Sequence, residues 1–173
     1  MQRRHVLFGF GGLTVIGAGF PWACSVAAGP VAKGAEPPYD LDAAAWKKRL
    51  SADAYAVLFE HDTERPGSSP LDREKRNGQF ICAACYLPLF DSAHKFDSGT
   101  GWPSFWQPMA GSVGTQRDFK LVLPRTEYHC IRCKGHQGHV FDDGPEPTGL
   151  RYCNNGVALR FVPQGEALPE WQS

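Results

Sequence analysis

Gln79-Phe-Ile-Cys-Ala-Ala-Cys85 and Glu127-Tyr-His-Cys-Ile-Arg-Cys133 are the two stretches on which the fold turns. Each is a short run of β-forming residues that ends in a C-x-x-C turn. Two-residue spacing lets both thiolates of one turn face a single ion, and two such turns supply the four sulfur ligands that zinc takes in a closed tetrahedral site. The stretch between the pairs is longer than in an ordinary zinc finger. Cys82, Cys85, Cys130 and Cys133 are therefore expected to clamp two distant hairpins with one structural zinc. A four-sulfur site leaves no open coordination position, so the metal should stabilise and not catalyse. Two disulfides, or a redox-active C-x-x-C, are the alternatives on the residues alone.

Working outward, further runs of β-propensity follow at Phe119–Leu123, His139–Phe141, Leu150–Cys153 and Val157–Val162, punctuated by turns such as Asp143-Gly144-Pro145. Upstream, Asp42 can cap a short helix running to Leu50, and Ser51 a second from Ala52 to Phe59. Asp72 to Arg76 reads as a solvated loop, and no helical period of useful length follows Phe59. The expected fold is mainly β: two antiparallel sheets in a zinc-stapled domain over residues 41–173, with short N-terminal helices.

The chain has 173 residues, with 18 Lys+Arg against 18 Asp+Glu and 42% apolar residues. That is enough for one domain with a core, and too apolar for disorder. Zero net charge argues against a general nucleic-acid binder, since that affinity comes from surplus Lys and Arg on phosphates.

The first residues read as a targeting segment. Arg3 and Arg4 precede an apolar stretch, Val6 to Phe20, which is diluted by Gly9, Gly11, Gly12, Gly17 and Gly19. It falls short of the roughly 20 apolar residues that a membrane span needs. The paired arginines and weak hydrophobicity resemble a twin-arginine export signal, and Val26-Ala27-Ala28 offers a cleavage site. The expected organisation is an export signal over 1–28, a linker over 29–40, and a bacterial, periplasmic location. An uncleaved membrane anchor is the alternative. Pro21-Trp22-Ala23-Cys24 is a poor lipoprotein box.

Setting aside Cys24 and the four ligands leaves Cys153, in Gly149-Leu-Arg-Tyr-Cys-Asn-Asn-Gly156. A buried inert thiol is one reading. Arg151 could favour a thiolate, and the amides Asn154 and Asn155 look out of place in an apolar core strand. His136 and His139 stand three residues apart after the second knuckle. A thiolate near imidazoles is an arrangement for nucleophilic attack with proton delivery. Residue chemistry alone stops at a zinc-stabilised thiol enzyme, with an aromatic binding module as its rival.

Lys95-Phe-Asp-Ser-Gly-Thr-Gly-Trp-Pro-Ser-Phe105, Arg125-Thr126-Glu127, Gly138-His-Val-Phe141, Asp143-Gly-Pro145 and Gly149-Leu-Arg-Tyr-Cys153, with both knuckles, closely resemble the type B methionine sulfoxide reductases. The resemblance covers about Leu41 to Pro163. It implies reduction of the R epimer of methionine sulfoxide in proteins, on a β-rich fold pinned by zinc. Carried over, Cys153 looks like the nucleophile that attacks the sulfoxide sulfur. His139, His136 and Asn155 match positions that orient the sulfoxide and deliver protons, and Trp102 matches the indole that receives its methyl group. Asp143 and Arg151 match supporting polar positions.

The chain departs from the family at Thr100, where many members carry a resolving cysteine. The resemblance then implies no intramolecular disulfide step, and a sulfenic acid on Cys153 that a thioredoxin-like protein or another external thiol reduces directly. Lesser departures are Gln137 and Asn154, where the family is usually apolar, and Tyr86, often a glycine. No obligate interface is visible, so a monomer is expected.

Overall fold

Two sheets, both antiparallel, carry the domain. The computed structural model describes residue 39, residues 41–119 and residues 124–171. The expected export signal and nearly all of the expected linker lie outside the described residues.

Helices α1 (Ala43–Arg49) and α2 (Ala52–Glu60) start where their caps dictate. Asp42 Oδ1 accepts from the Ala45 N–H at 2.7 Å, and Ser51 Oγ from the Ala54 N–H at 3.2 Å. The smaller sheet is ordered β2 (Pro88–Asp91), β1 (Gly78–Cys82), β9 (Leu159–Pro163). The larger is ordered β3 (Lys95–Phe96), β4 (Ser104–Phe105), β8 (Arg151–Asn154), β7 (His136–Phe141), β6 (Arg125–Cys130), β5 (Val113–Asp118). Phe80 and Phe90 from the first sheet meet Phe105 and Tyr128 from the second, with Phe90 stacked on Phe105 at 4.1 Å between ring centroids. All four rings are fully buried, and this is the core between the sheets.

The knuckles tie the same two layers. Cys82 ends β1 and Cys130 ends β6, so a metal held by both turns joins one sheet to the other. The turns are built alike: the Tyr86 N–H returns to the Cys82 carbonyl at 3.0 Å, and the Lys134 N–H to the Cys130 carbonyl at 2.9 Å. The residue after each second cysteine is left-handed, Tyr86 at φ 59° and Lys134 at φ 61°. This explains why glycine suits position 86. A side chain there costs about 1–2 kcal/mol, offset by the Tyr86 ring beneath the Arg160 guanidinium (4.8 Å) and against Trp171.

The strand readings need correction in both sheets: β2, β3, β4 and β5 lie outside the runs expected from sequence, and Val157 and Ala158, expected to open the last strand, sit in a 3₁₀ turn. Val113–Asp118 forms β5, whereas Phe119, expected to open a strand, lies beyond it and is 72% exposed; residues 120–123 are not described. β5 escapes a search for apolar runs because it is an edge strand of polar residues. Beyond α2 the described helical segments are single 3₁₀ turns, Pro70–Arg73, Ser92–His94 and Gly156–Ala158, so part of the expected loop at Asp72 to Arg76 is a 3₁₀ turn. No helix among the described residues is long and apolar enough to cross a membrane.

Candidate active site

The register of the larger sheet assembles the site. Gln116 on β5 lies opposite Glu127 on β6, Glu127 opposite His139 on β7, His139 opposite Cys153 on β8, and Cys153 opposite Ser104 on β4. Directly opposed residues point to the same face, so one row across five strands sets the thiol beside the imidazole. Strand alternation adds Arg151, two residues from Cys153, and Phe141, two from His139, to that face, and sends Tyr128, Tyr152 and Asn154 to the other. Gly138 permits this closeness: a Cβ there would collide with the Cys153 carbonyl oxygen.

Cys153, His139, Phe141, Arg125, Trp102, Thr63, Gly138, Asn154 and Asn155 surround a cavity of about 170 Å³. Burial pushes the Cys153 thiol pKa up, against the opposing pulls of Arg151 and of the Thr100 hydroxyl. The expected thiolate-favouring role of Arg151 is thus real in sign but outweighed. Asp143 also claims Arg151 through two bonds of 2.7 and 2.8 Å, and the guanidinium lies over Phe141 at 4.3 Å. Asp143 itself is exposed, and its charge opposes Arg151 at Cys153 by raising the thiol pKa.

Each histidine has a carboxylate. Asp118 Oδ2 meets His139 Nε2 at 2.8 Å and takes the Arg125 Nη2 at 2.9 Å. Glu127 Oε1 meets His136 Nδ1 at 2.7 Å, and Gln116 donates to its other oxygen at 2.8 Å. Burial lowers both imidazole pKa values, although their carboxylates pull the other way. For Glu127 burial works upward, but the bonds from Gln116 and His136 outweigh it and the pKa ends below the usual range. With Nε2 committed to Asp118, Nδ1 is the His139 nitrogen left for chemistry. His136 is fully buried and does not line the cavity. Its ring stands edge-on to that of His139, 5.3 Å between centroids.

A histidine pKa depressed by burial has a consequence for stability. Below about pH 6.5 the unfolded chain takes up protons that the folded His139 refuses. Stability is therefore held above that pH and lost as pH falls. The urea midpoint should drop between pH 7.5 and pH 5.5, and drop less in His139→Asn; equal slopes in the two proteins would count against it.

The amides are not out of place. Asn154 is wholly buried and fully satisfied: its Oδ1 accepts from Tyr128 Oη at 2.7 Å, and its Nδ2 donates to Gln137 Oε1 (3.3 Å) and to the Asn155 carbonyl (2.8 Å). Gln137 in turn donates to Cys82 Sγ at 3.5 Å. The two positions where the chain departs from apolar residues are thus one paired polar network in the core. Asn155 donates to the Gln137 carbonyl at 3.0 Å and accepts from the Glu64 N–H at 3.1 Å, so most of its amide holds the loop in place.

Glu64 escapes sequence reasoning. Its carboxylate accepts from the N–H groups of Gly156 and Val157, and its carbonyl accepts from Trp102 Nε1 at 3.2 Å. It therefore fixes the indole against the end of β8. Asp118 is the other residue missed, since it stands on the unforeseen β5. Only Glu127 had a signal, in Arg125-Thr126-Glu127.

The four knuckle sulfurs lie within 4.8 Å of one another and are buried. Cys82 and Cys133 are 3.6 Å apart, and Cys85 and Cys130 3.4 Å, far beyond a disulfide bond. A tetrahedron of sulfurs about 2.3 Å from zinc has edges of about 3.8 Å, so the residues fit the ion.

A SelR domain model matches residues 50–163. The chain belongs to the SelR family, the type B methionine sulfoxide reductases. A peptide methionine sulfoxide reductase of Bradyrhizobium diazoefficiens is 52% identical over 120 residues, 69% of this chain and 86% of that protein. One from Agrobacterium fabrum is 49% identical over 119 residues, 68% and 88%. The chloroplastic B1 enzyme of Arabidopsis thaliana is 48% identical over 117 residues, 67% and 58%. In this SelR-family chain, all nine residues around the cavity fall inside the matched span.

Proposed function

We propose that this chain reduces the R epimer of methionine sulfoxide in proteins, with Cys153 as nucleophile and one zinc held by Cys82, Cys85, Cys130 and Cys133. The observation that carries the reading is the single row that sets Cys153 opposite His139, above a cavity also walled by Trp102. A sulfoxide sulfur becomes attackable once its oxygen is protonated or strongly hydrogen-bonded. His139 Nδ1 takes the Cys153 proton as the sulfur attacks, Asp118 stabilises the imidazolium, and the same proton passes to the sulfoxide oxygen. The attack forms an S–S bond; the S–O and S–S bonds at the substrate sulfur then break as the hydroxyl moves to the Cys153 sulfur, so methionine leaves as the sulfide and Cys153 carries the oxygen as sulfenic acid. No external proton or electron is needed for this step. Trp102 offers an aromatic face to the partly positive S-methyl group.

An external thiol then condenses with the sulfenic acid, giving a mixed disulfide and water, and a second thiol displaces Cys153. Thr100 takes the place of a resolving cysteine, and its hydroxyl pulls the Cys153 pKa down. Zinc, when bound, supplies no reaction step and holds the sheets together. The apolar stretch after Arg3-Arg4 supports export to a periplasm, where a thioredoxin-like protein would be the reductant.

Separate R and S epimers of a methionine sulfoxide peptide test this, with dithiothreitol as reductant and dimedone to trap the intermediate. Turnover of R alone, with the adduct on Cys153, is the expected result. Turnover of S, or an adduct elsewhere, would sink it. A companion prediction concerns Thr100→Cys, whose new thiol should close a bond to Cys153 after one turnover. Intramolecular attack should cut dimedone trapping by about tenfold or more. Mass spectrometry of the single-turnover product would show Cys153 linked to the introduced thiol, or the absence of that linkage.

A further inference from the structure

A second group of metal-ligating side chains shares Glu127 with the row that carries His139 and Cys153. We propose that His61, Glu127 and His136 form a reversible site for one borderline divalent ion such as Zn²⁺, Ni²⁺ or Co²⁺, separate from the four cysteines. One ligand atom from each lies within 4.8 Å of the others. His61 Nδ1 is 3.3 Å from Glu127 Oε1, close to the separation of about 3.4 Å that two ligands take around a tetrahedral ion 2.1 Å away. His136 Nδ1 is 2.7 Å from the same oxygen, a hydrogen bond that must open by several tenths of an ångström. The ion replaces the proton between those two atoms, which moves to His136 Nε2.

Three further features suit a metal. His61 is the C-cap of α2, left-handed at φ 57°, with its N–H bonded to the Ala56 carbonyl, so the helix end sets the origin of its side chain. Its ring sits 5.3 Å from that of His136. Gln116 holds Glu127 through Oε2 and leaves Oε1 to the ion, as second partners do in built metal sites. The donors are two imidazoles and one carboxylate, which suit zinc, nickel and cobalt better than the all-oxygen shells of calcium or magnesium. Three protein ligands leave one position open, unlike the closed cluster of cysteines. The His61 side chain is 39% exposed and the other two are buried, which puts the entry at the end of α2. None of the three lines the catalytic cavity.

Nickel binding by the full chain with its cysteine cluster loaded decides the matter, because uptake is read without turnover. Equilibrium dialysis against Ni²⁺ should find one more ion per wild-type chain than per His61→Asn chain. Asparagine is chosen because it tolerates the left-handed cap, so a matching circular dichroism melt certifies the fold. Gln116→Leu, which removes the partner of a ligand, should weaken uptake by about 10–100-fold, and loss of the His61 imidazole, a ligand itself, by more. His94→Asn, which removes an imidazole elsewhere on the surface, should bind as wild type does. Equal uptake by wild type and His61→Asn, or none beyond the cysteine cluster, would overturn the proposal.

Discussion

Cys153→Ser is expected to lower turnover of the R sulfoxide by about 10³-fold or more, with fold and metal content unchanged. The substitution replaces one atom at a partly buried position and leaves the pairing of residue 153 with Ser104 and His139 intact. A serine hydroxyl is a far poorer nucleophile than a thiol and cannot carry the oxygen away in a form that thiols reduce. No neighbour can substitute for it: the four other described cysteines are buried in the knuckles, and Ser104 is fully buried. The measurement is initial rate on the separated R epimer, with substrate binding followed by indole fluorescence. Rates within tenfold of wild type would move the nucleophile to another residue.

The metal should matter as much to the fold as Cys153 does to the chemistry. Cys130→Ser, or removal of the ion by a strong chelator under reducing conditions, is expected to abolish the cooperative thermal transition. Structural zinc couples about 10–16 kcal/mol of binding to folding. A domain of this size is stable by about 5–15 kcal/mol in all. The first range matches or exceeds the second, so losing the ion is a loss of the fold and not a shift of a few degrees. The geometry gives the reason: Cys82 ends β1 and Cys130 ends β6, so the cluster holds the two sheets against each other over the Phe80, Phe90, Phe105 and Tyr128 rings. Near-ultraviolet circular dichroism and calorimetry of the apoprotein check this. An apoprotein melting cooperatively within a few degrees of the loaded form would show that the aromatic core suffices.

These two expectations rest on different kinds of legibility. Cys82, Cys85, Cys130 and Cys133 could be read as a cluster from spacing alone, because a two-residue turn constrains its own thiolates whatever surrounds it. The caps Asp42 and Ser51 are local in the same sense, and both act as expected. Cys153 could be singled out by subtraction, and His139 by its nearness to a knuckle. The class of protein followed from the ordered motifs around them, which the SelR match over residues 50–163 now carries.

What stayed hidden shares a physical cause. Asp118 and Glu64 serve the site across 21 and 92 positions of chain, in their bonds to His139 and Gly156. Nothing in their local sequence marks such partners. β5 was invisible because an edge strand with a polar face lacks the apolar alternation by which strands are recognised. Asn154 and Gln137 read as polar intrusions until the core paired them with each other, Tyr128 and Cys82. Local chemistry, meaning turns, caps and ligand spacing, was determined by the sequence by itself. Whether Cys153 rests as a thiol, and which carboxylate serves which histidine, was decided only when the tertiary structure set burial and long-range register, since desolvation and cross-strand pairing do not exist in an unfolded chain.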